Sequence, residues 1–130
     1  MTAGKSTLGP RAEESEDLTR LFVELANAGD AEGLARLYEP DGVVGFPPGQ
    51  QTVGQAAIRA LYDQMLASKP QFKQEDPLPT LRVGDIALTG TQSSDGTGGR
   101  VQVVRRQADG SWLRIIDRPE TPGTPRRPGL

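Results

Sequence analysis

Residues 100–119 read RVQVVRRQADGSWLRIIDRP. Two stretches rich in Val, Ile and other strand-forming residues flank Asp109-Gly110, and this dipeptide between two such stretches is the strongest short-range signal of a β-hairpin. If the turn holds two residues, Gln102 lies directly opposite Asp117 on the partner strand. The sequence therefore predicts a long antiparallel hairpin.

Side chains alternate between the two faces of a strand, so the register also assigns each side chain of the hairpin to a face. One predicted face carries Arg100, Gln102, Val104, Leu113, Ile115 and Asp117. The other carries Val101, Val103, Arg105, Trp112, Arg114 and Ile116. Both sets are apolar at their centres, whereas an antiparallel sheet with one wet face alternates apolar and polar side chains. We therefore expect both faces of the hairpin to be covered.

Three predicted helices upstream can cover one face. Their apolar positions recur at helical spacing and are Leu18, Leu21, Phe22 and Leu25 in the first helix, Leu34, Leu37 and Tyr38 in the second, and Ala57, Ile58, Leu61, Met65 and Leu66 in the third. Asp30 is placed to cap the second helix, and Pro40-Asp41-Gly42 ends it with a turn. Gly54 precedes the third helix.

Short strands complete the pattern. Residues 43–46 and 51–53 are expected to form a small hairpin between the second and third helices. Residues 72–81 are expected to form an irregular edge segment, because the prolines in it cannot donate to a ladder, and residues 86–92 a regular strand. The order of elements predicts an α+β fold with a mostly antiparallel sheet.

Composition narrows the chemistry. The chain has 130 residues, no cysteine and no histidine, which excludes disulfides, thiolate nucleophiles, the usual zinc ligands and any Ser-His-Asp arrangement. A net charge of −2 without a basic patch gives no field for nucleic acid. The acidic residues have no spacing that indicates a metal site, and the sequence predicts no cofactor.

The length fits a single domain. We expect a flexible arm over residues 1–11, the folded domain over residues 12–119 and a disordered Pro-rich tail over residues 120–130. The N-terminal residues lack the apolar stretch of a secretory signal, and no apolar run approaches membrane-spanning length. A cytoplasmic protein without membrane contact is predicted.

Four segments match, in order, the pattern of a known superfamily. They are FVELANAGD at residues 22–30, LYEPDGVV at 37–44, VGQAAI at 53–58 and RRQADGSW at 105–112. Together they resemble the nuclear transport factor 2-like superfamily (a cystatin-type cone), in its polyketide cyclase, ketosteroid isomerase and limonene-epoxide hydrolase branch. The resemblance implies a curved sheet that forms a cone, with the three helices on its concave face. It leaves the activity open, because this fold hosts isomerases, cyclases, hydrolases, dehydratases and non-enzymatic binders.

Two enzyme families of that branch can be compared with this chain residue by residue. In ketosteroid isomerase the tyrosine donor and the carboxylate base correspond to Phe22 and Phe46, and the second donor to Gln102. The known isomerase mechanism is therefore not expected. In limonene-epoxide hydrolase the Asp-Arg-Asp cluster corresponds to Gln102, Arg100 and Asp117, so two of its three residues are kept.

The hairpin register and the resemblance both place Gln102 beside Asp117, with Arg100 two residues along the same face. We predict that Asp117 is a general acid or base, held by Gln102 and Arg100, at the floor of an apolar pocket. The predicted lining is Phe22, Tyr38, Phe46, Tyr62, Met65, Val104 and Ile115. The alternative is an ordinary cross-strand ion pair between Asp117 and Arg100, with the aromatic residues as plain core.

The functional hypothesis is a non-redox enzyme of the isomerase, cyclase or hydrolase type, acting on an apolar oxygenated substrate such as a polyketide or terpenoid. One alternative is a non-catalytic ligand binder or accessory protein that kept the pocket and lost the catalytic residues. Another is an interaction module with a filled cone.

A homodimer is also predicted, since a second copy is an economical cover for the outer sheet face. Its interface is expected to contain Val101, Val103, Trp112, Arg114 and Ile116. The alternative is that these side chains pack under a tail of the same chain.

Overall fold

The computed structural model of the chain describes residues 11–93 and 98–122. The helices are α1 (Asp17–Asn27), α2 (Ala31–Ala35) and α3 (Gln55–Leu66). The strands are β1 (Tyr38–Val44), β2 (Thr52–Val53), β3 (Asp76–Pro77), β4 (Leu81–Val83), β5 (Ile86–Gln92), β6 (Gly98–Arg106) and β7 (Trp112–Pro122). Within the described residues, no helix is long and apolar enough to cross a membrane.

The strands form one curved sheet in the order β2-β1-β7-β6-β5-β3, with β4 paired to β5. β1 runs parallel to β7, and the other pairs are antiparallel. The helices pack on one face of this sheet, around a core that includes the fully buried Leu18, Leu34, Ile58 and Val104. The predicted α+β class with a curved, mostly antiparallel sheet is confirmed.

α1 and α3 lie close to their predicted positions and α2 begins where it was predicted, because these signals are local. α1 buries Leu18, Leu21 and Leu25 at helical spacing. The backbone N–H of Gly33 donates to the Asp30 carboxylate at 2.8 Å, which is the predicted cap of α2. These two helices lead the chain into the first strand of the sheet.

The placement of Tyr38 on the second helix was wrong. α2 ends at Ala35, and Tyr38 begins β1. The backbone N–H of Arg114 in β7 donates to the carbonyl oxygen of Leu37 at 2.8 Å, so pairing with the sheet outweighs the helical spacing of two side chains. As a result the Tyr38 side chain starts from the sheet and is fully buried between the sheet and the helices.

The β6–β7 hairpin confirms the central predicted pair, since Gln102 lies opposite Asp117. Its loop is longer than predicted. The backbone N–H of Gln107 donates to the carbonyl oxygen of Ser111 at 2.7 Å, which leaves residues 108–110 as the loop. This loop ends on a glycine with a φ of +87°, as three-residue hairpin loops usually do. Next to the loop, the pairing of β6 with β7 is therefore shifted by one residue from the predicted register.

A β-bulge restores the predicted register further from the loop. Val104 pairs with Arg114 and Val103 pairs with Ile116, so Ile115 is the extra residue. Because a one-residue shift moves a side chain to the opposite face, the β7 side chains between loop and bulge have exchanged faces.

This exchange corrects several predicted orientations. Trp112 and Arg114 were assigned to the outer face, but they are only 2% and 3% exposed and share the helix-covered face with Val104. Leu113, assigned to the inner face, pairs with Arg105 and lies on the outer face. Trp112 and Arg114 therefore belong to the interior of the protomer.

The outer face of the sheet carries an apolar row that we call the outer row. Its members are direct register partners on neighbouring strands: Leu81, Leu88, Val103, Ile116, Val43 and Val53. Several of them are about half exposed. Three of the predicted interface residues, Val101, Val103 and Ile116, lie on this face. The homodimer itself stays a prediction.

The predicted domain ends fall partly outside the described residues. Residues 1–10 of the predicted arm, residues 94–97 within the domain and residues 123–130 of the predicted tail lie outside them. Arg11, the last residue of the predicted arm, donates to the Asp109 carboxylate at 3.1 Å. β7 continues to Pro122, past Glu120, where the tail was expected to begin.

Candidate functional site

A cavity of about 600 Å³ lies between the sheet and the helices. Residues of α1 and α3 form one wall, strand residues of the sheet form another, and the irregular segment 71–76 forms a third. The apolar lining residues include Phe22, Val44, Phe46, Leu61, Met65 and Phe72. The polar ones include Tyr62, Glu75, Arg100, Gln102, Arg114 and Asp117. This volume, with mainly apolar walls and a few polar groups, suits a small organic molecule.

The buried end of the cavity contains an ion pair between Asp117 and Arg114. Both side chains are almost fully buried, and Nη1 of Arg114 donates to Oδ2 of Asp117 at 3.3 Å. The hydroxyl of Tyr38 donates to the same Oδ2 at 2.5 Å and accepts from Nη1 of Arg114 at 3.3 Å. Charge-assisted hydrogen bonds of this kind are stronger than neutral ones, so they fix the carboxylate firmly.

Tyr62 completes this group, which we call the Asp117 cluster: Tyr38, Tyr62, Arg114 and Asp117. The hydroxyl oxygens of Tyr38 and Tyr62 are 2.8 Å apart. Because Tyr38 gives its single proton to Asp117, Tyr62 must be the donor between the two tyrosines. The Tyr62 oxygen is then left as an acceptor beside the cavity.

The electrostatics of the cluster keep both tyrosines neutral. Burial, followed by the negative charge of Asp117, raises the pKa of Tyr38 well above its ordinary value and raises the pKa of Tyr62 as well. Burial alone would lower the pKa of Arg114. The negative charge of Asp117, together with the interactions with Tyr38 and Tyr62, outweighs the effect of burial, so the pKa of Arg114 is raised. The cluster therefore contains one cation, one anion and two neutral phenols near neutral pH.

Two polar atoms of the cluster have no hydrogen-bond partner within the described part of the chain. They are Oδ1 of Asp117, an acceptor, and Nε of Arg114, a donor. A buried polar group without a partner destabilises a protein by about 1–3 kcal/mol. A molecule in the cavity that bonded to these atoms would offset that loss.

Aromatic rings hold the guanidinium of Arg114 in place. Its central carbon lies 5.0 Å from the centre of the Phe22 ring and 5.7 Å from that of Tyr38, within the range of a cation–π interaction. Phe22 in turn packs edge to face against Tyr62 and Phe72. The apolar wall of the cavity is thus also the support of its buried charge.

A family model for the SnoaL-like domain matches residues 19–117, which span α1 to the middle of β7. The chain belongs to the SnoaL-like domain family. The match includes all four residues of the Asp117 cluster, and it confirms the resemblance to the nuclear transport factor 2-like superfamily. A search of the curated proteins found no significant match.

Solved structures agree with this family at the level of the fold. A nuclear transport factor 2-like protein with a cystatin-like fold from Novosphingobium aromaticivorans is 24% identical, with a TM-score of 0.63 over 82% of this chain and 78% of its own. A ketosteroid isomerase-like protein from Erwinia carotovora atroseptica is 17% identical, with a TM-score of 0.65 over 85% and 94%. A putative calcium/calmodulin-dependent protein kinase type II association domain from Thiobacillus denitrificans is 18% identical, with a TM-score of 0.70 over 88% and 99%. At these identities the likeness concerns the fold alone.

The predicted partner of Asp117 in this SnoaL-like domain was wrong. Arg100 lines the cavity, but its Nη1 donates to both carboxylate oxygens of Glu75, at 2.5 and 2.6 Å, and Thr91 donates to the same carboxylate. Arg114 takes the place beside Asp117 that was expected for Arg100. The physical reason is the register shift at the hairpin loop, which turns Arg114 inward.

Gln102 lies buried opposite Asp117 and lines the cavity, as predicted, but among the described residues no hydrogen bond joins its side chain to Asp117, which it was predicted to hold. Its side-chain carbonyl oxygen accepts from the Thr89 hydroxyl at 2.8 Å. That bond fixes the orientation of the amide and leaves its NH₂ group to donate elsewhere.

The predicted lining residues divide into two groups. Phe22, Phe46, Tyr62 and Met65 do line the cavity, whereas Tyr38, Val104 and Ile115 do not. Tyr38 is fully buried and donates to Asp117, Val104 is buried core, and Ile115 is the bulged residue. In residues 11–93 and 98–122, no group of three or more acidic side chains could hold a metal ion.

Proposed function

We propose that this SnoaL-like domain is a non-redox acid–base enzyme for a neutral, apolar, oxygenated small molecule of the polyketide or terpenoid kind. One observation carries the proposal: a buried carboxylate on the cavity lining has one oxygen firmly held and the other without a partner among the described residues. Oδ2 of Asp117 receives Tyr38 and Arg114, and Oδ1 receives neither. A carboxylate oriented in this way can accept a proton from a bound molecule.

In the proposed reaction, Oδ1 of Asp117 removes a proton from a carbon next to a carbonyl group of the substrate. The electron pair of the C–H bond moves into an enolate, and the NH₂ group of Gln102 or Nε of Arg114 donates to the enolate oxygen. An isomerase then returns the proton from Asp117 to another carbon. A cyclase instead lets the enolate carbon attack a second carbonyl of the same molecule, and Asp117 returns the proton to the new alkoxide.

Tyr38 would act as a positioning residue in this scheme. It does not line the cavity, but its 2.5 Å hydrogen bond fixes Oδ2. Because its pKa is raised, it stays protonated as a donor while Asp117 changes its charge.

A second candidate is a non-catalytic binder in the same cavity. The observation in its favour is that Oδ2 of Asp117 already bonds to Tyr38 and Arg114, as in an ordinary structural ion pair. Phe22 and Phe46 also favour a binder, because they occupy the positions of the donor and the base of ketosteroid isomerase.

Turnover separates the two candidates. The wild type, Asp117→Asn and Asp63→Asn are incubated with a panel of neutral cyclic hydroxyketones, β-diketones and epoxides, and each compound is separated from its isomers by chromatography before it is quantified by mass spectrometry. Asp63 is a suitable control because its side chain is 63% exposed on α3. We expect Asp117→Asn to lower turnover by about 10²–10⁴-fold while Asp63→Asn stays at the wild-type rate. Equal turnover by Asp117→Asn would refute the role of Asp117, and compounds that raise the melting temperature but return unchanged would favour the binder.

A further inference from the structure

We infer that the molecule recognised by the Asp117 cluster has a neutral head group with a hydrogen-bond donor and an acceptor on neighbouring atoms, as in a hydroxyketone or a carboxamide. The inference rests on the proposed function in that it uses the same cavity.

The charge of the head group follows from the balance of the cluster. Arg114 and Asp117 neutralise each other at 3.3 Å, and both tyrosines are uncharged. An anionic head group would approach the Asp117 carboxylate, and a cationic one would approach the Arg114 guanidinium. Either would add an unbalanced charge next to side chains that are almost fully buried, and such a charge is strongly disfavoured.

The hydrogen-bonding pattern follows from the two atoms that lack partners among the residues the structure describes. Oδ1 of Asp117 needs a donor, and Nε of Arg114 needs an acceptor. These atoms belong to groups that are joined by a 3.3 Å bond between Oδ2 and Nη1 and that both line the cavity, so we expect one compact head group to reach both. The NH₂ group of Gln102 adds a further donor for a carbonyl oxygen.

The rest of the ligand is expected to be mainly apolar. The rings of Phe22, Phe46 and Phe72 and the side chains of Leu61 and Met65 line the remaining part of the cavity, together with polar groups such as Glu75 and Arg100. A cavity of about 600 Å³ holds a bicyclic or tricyclic body with a small head group.

The test uses a set of naphthalenes with one body and four head groups. Naphthalene-2-carboxamide offers a donor and an acceptor, methyl 2-naphthoate offers only acceptors, 2-naphthoate is an anion, and protonated 2-naphthylmethylamine is a cation. Their affinities for the full chain are measured by isothermal titration calorimetry at pH 7. We expect the carboxamide to bind at least about tenfold more tightly than each of the others, because every other head group leaves one buried polar atom unpaired or adds a charge.

Two variants show whether the preference comes from the cluster. Asp117→Asn can turn an NH₂ group toward the ester, so the preference for carboxamide over ester should fall to about threefold or less, whereas Asp63→Asn should keep the wild-type preference. Equal affinities for all four compounds, or tightest binding of the anion or cation, would overturn the inference and leave the cavity proposal standing. Binding of none of them would overturn the proposed function together with the inference.

Discussion

Replacing Tyr38 by phenylalanine tests the structure of the Asp117 cluster without altering the cavity wall. The substitution keeps the buried ring and removes only the hydroxyl. That hydroxyl donates to the charged Asp117, and it accepts from Tyr62 and from Arg114. Its loss therefore weakens three interactions at once, one of which is a short bond to a carboxylate.

The expected magnitude follows from these bonds. A hydrogen bond to a charged group contributes about 1.5–3 kcal/mol and a neutral one about 1 kcal/mol. Arg114 keeps its bond to Asp117 when the hydroxyl is removed, so only the bonds to Asp117 and Tyr62 are counted. Tyr38→Phe should therefore lower the free energy of unfolding by about 3 kcal/mol. Tyr62→Phe is the matched control, because it removes a single hydrogen bond between neutral groups at the same place and should lower that free energy by about 1 kcal/mol.

Urea denaturation followed by circular dichroism measures both changes. With a denaturant slope of about 2 kcal/mol per molar urea, the midpoint should fall by about 1.5 M for Tyr38→Phe and by about 0.5 M for Tyr62→Phe. Equal shifts for the two variants, with unchanged slopes, would contradict the assignment of Tyr38 as the group that holds Asp117.

Three further predictions follow from the charges and the outer face. Stability should fall as the pH rises above about 10, because the unfolded chain ionises Tyr38 and Tyr62 near their ordinary pKa of 10.0 while the folded chain keeps both protonated. Urea midpoints at pH 8 and pH 11 measure this loss. A fall of the wild-type midpoint between these pH values that is no larger than the fall for Tyr38→Phe would contradict the prediction. Arg114→Gln should lower the free energy of unfolding by about 3–5 kcal/mol, because it leaves the buried charge of Asp117 unpaired. Arg100→Gln should change that free energy by less than about 1 kcal/mol, because the Arg100 side chain is 41% exposed. Comparable losses for the two variants in thermal or urea unfolding would refute this difference between the two arginines. Ile116→Lys should convert the predicted homodimer into a monomer, measured by light scattering against a chain mass of 13.9 kDa, and a monomeric wild type would refute the dimer.

The fold could be predicted from the sequence because its signals are local and independent of one another. The Asp30 cap, the Gly54 entry to α3 and the strand over Ile86–Gln92 each depend on a few neighbouring residues, and the structure has each of them. The pairing of Gln102 with Asp117 was predicted correctly, although the prediction assumed a two-residue turn and no bulge. The longer loop and the bulge shift the register in opposite directions and cancel at this pair.

The site could be predicted only in part, because Arg114 depends on a difference of one residue. A loop of residues 108–110 in place of a two-residue turn turns Arg114 inward and Leu113 outward. Asp-Gly fits both loop types, so the dipeptide alone could not choose between them. One signal in the sequence favoured the observed register. The chain has a single tryptophan, and because such a large side chain is highly buried on average, an inward Trp112 was the simpler expectation.

The partners of Tyr38 and Arg100 were beyond local reasoning for a different reason. Tyr38 begins a strand through a parallel pairing with β7, a contact between residues far apart in the sequence. Glu75, which binds Arg100, lies in the irregular segment between α3 and β3, where no periodicity fixes side-chain direction. Both contacts are set by tertiary structure, and neither has a sequence motif.

The most direct test of the Asp117 cluster as the functional site is a crystal structure of the protein with naphthalene-2-carboxamide. We predict that the carboxamide lies at the buried end of the cavity, with its NH₂ group within hydrogen-bonding distance of Oδ1 of Asp117 and its oxygen facing Nε of Arg114 or the NH₂ group of Gln102. A ligand with its head group at the Glu75–Arg100 pair, or one bound outside the cavity, would contradict the assignment of the Asp117 cluster as the functional site.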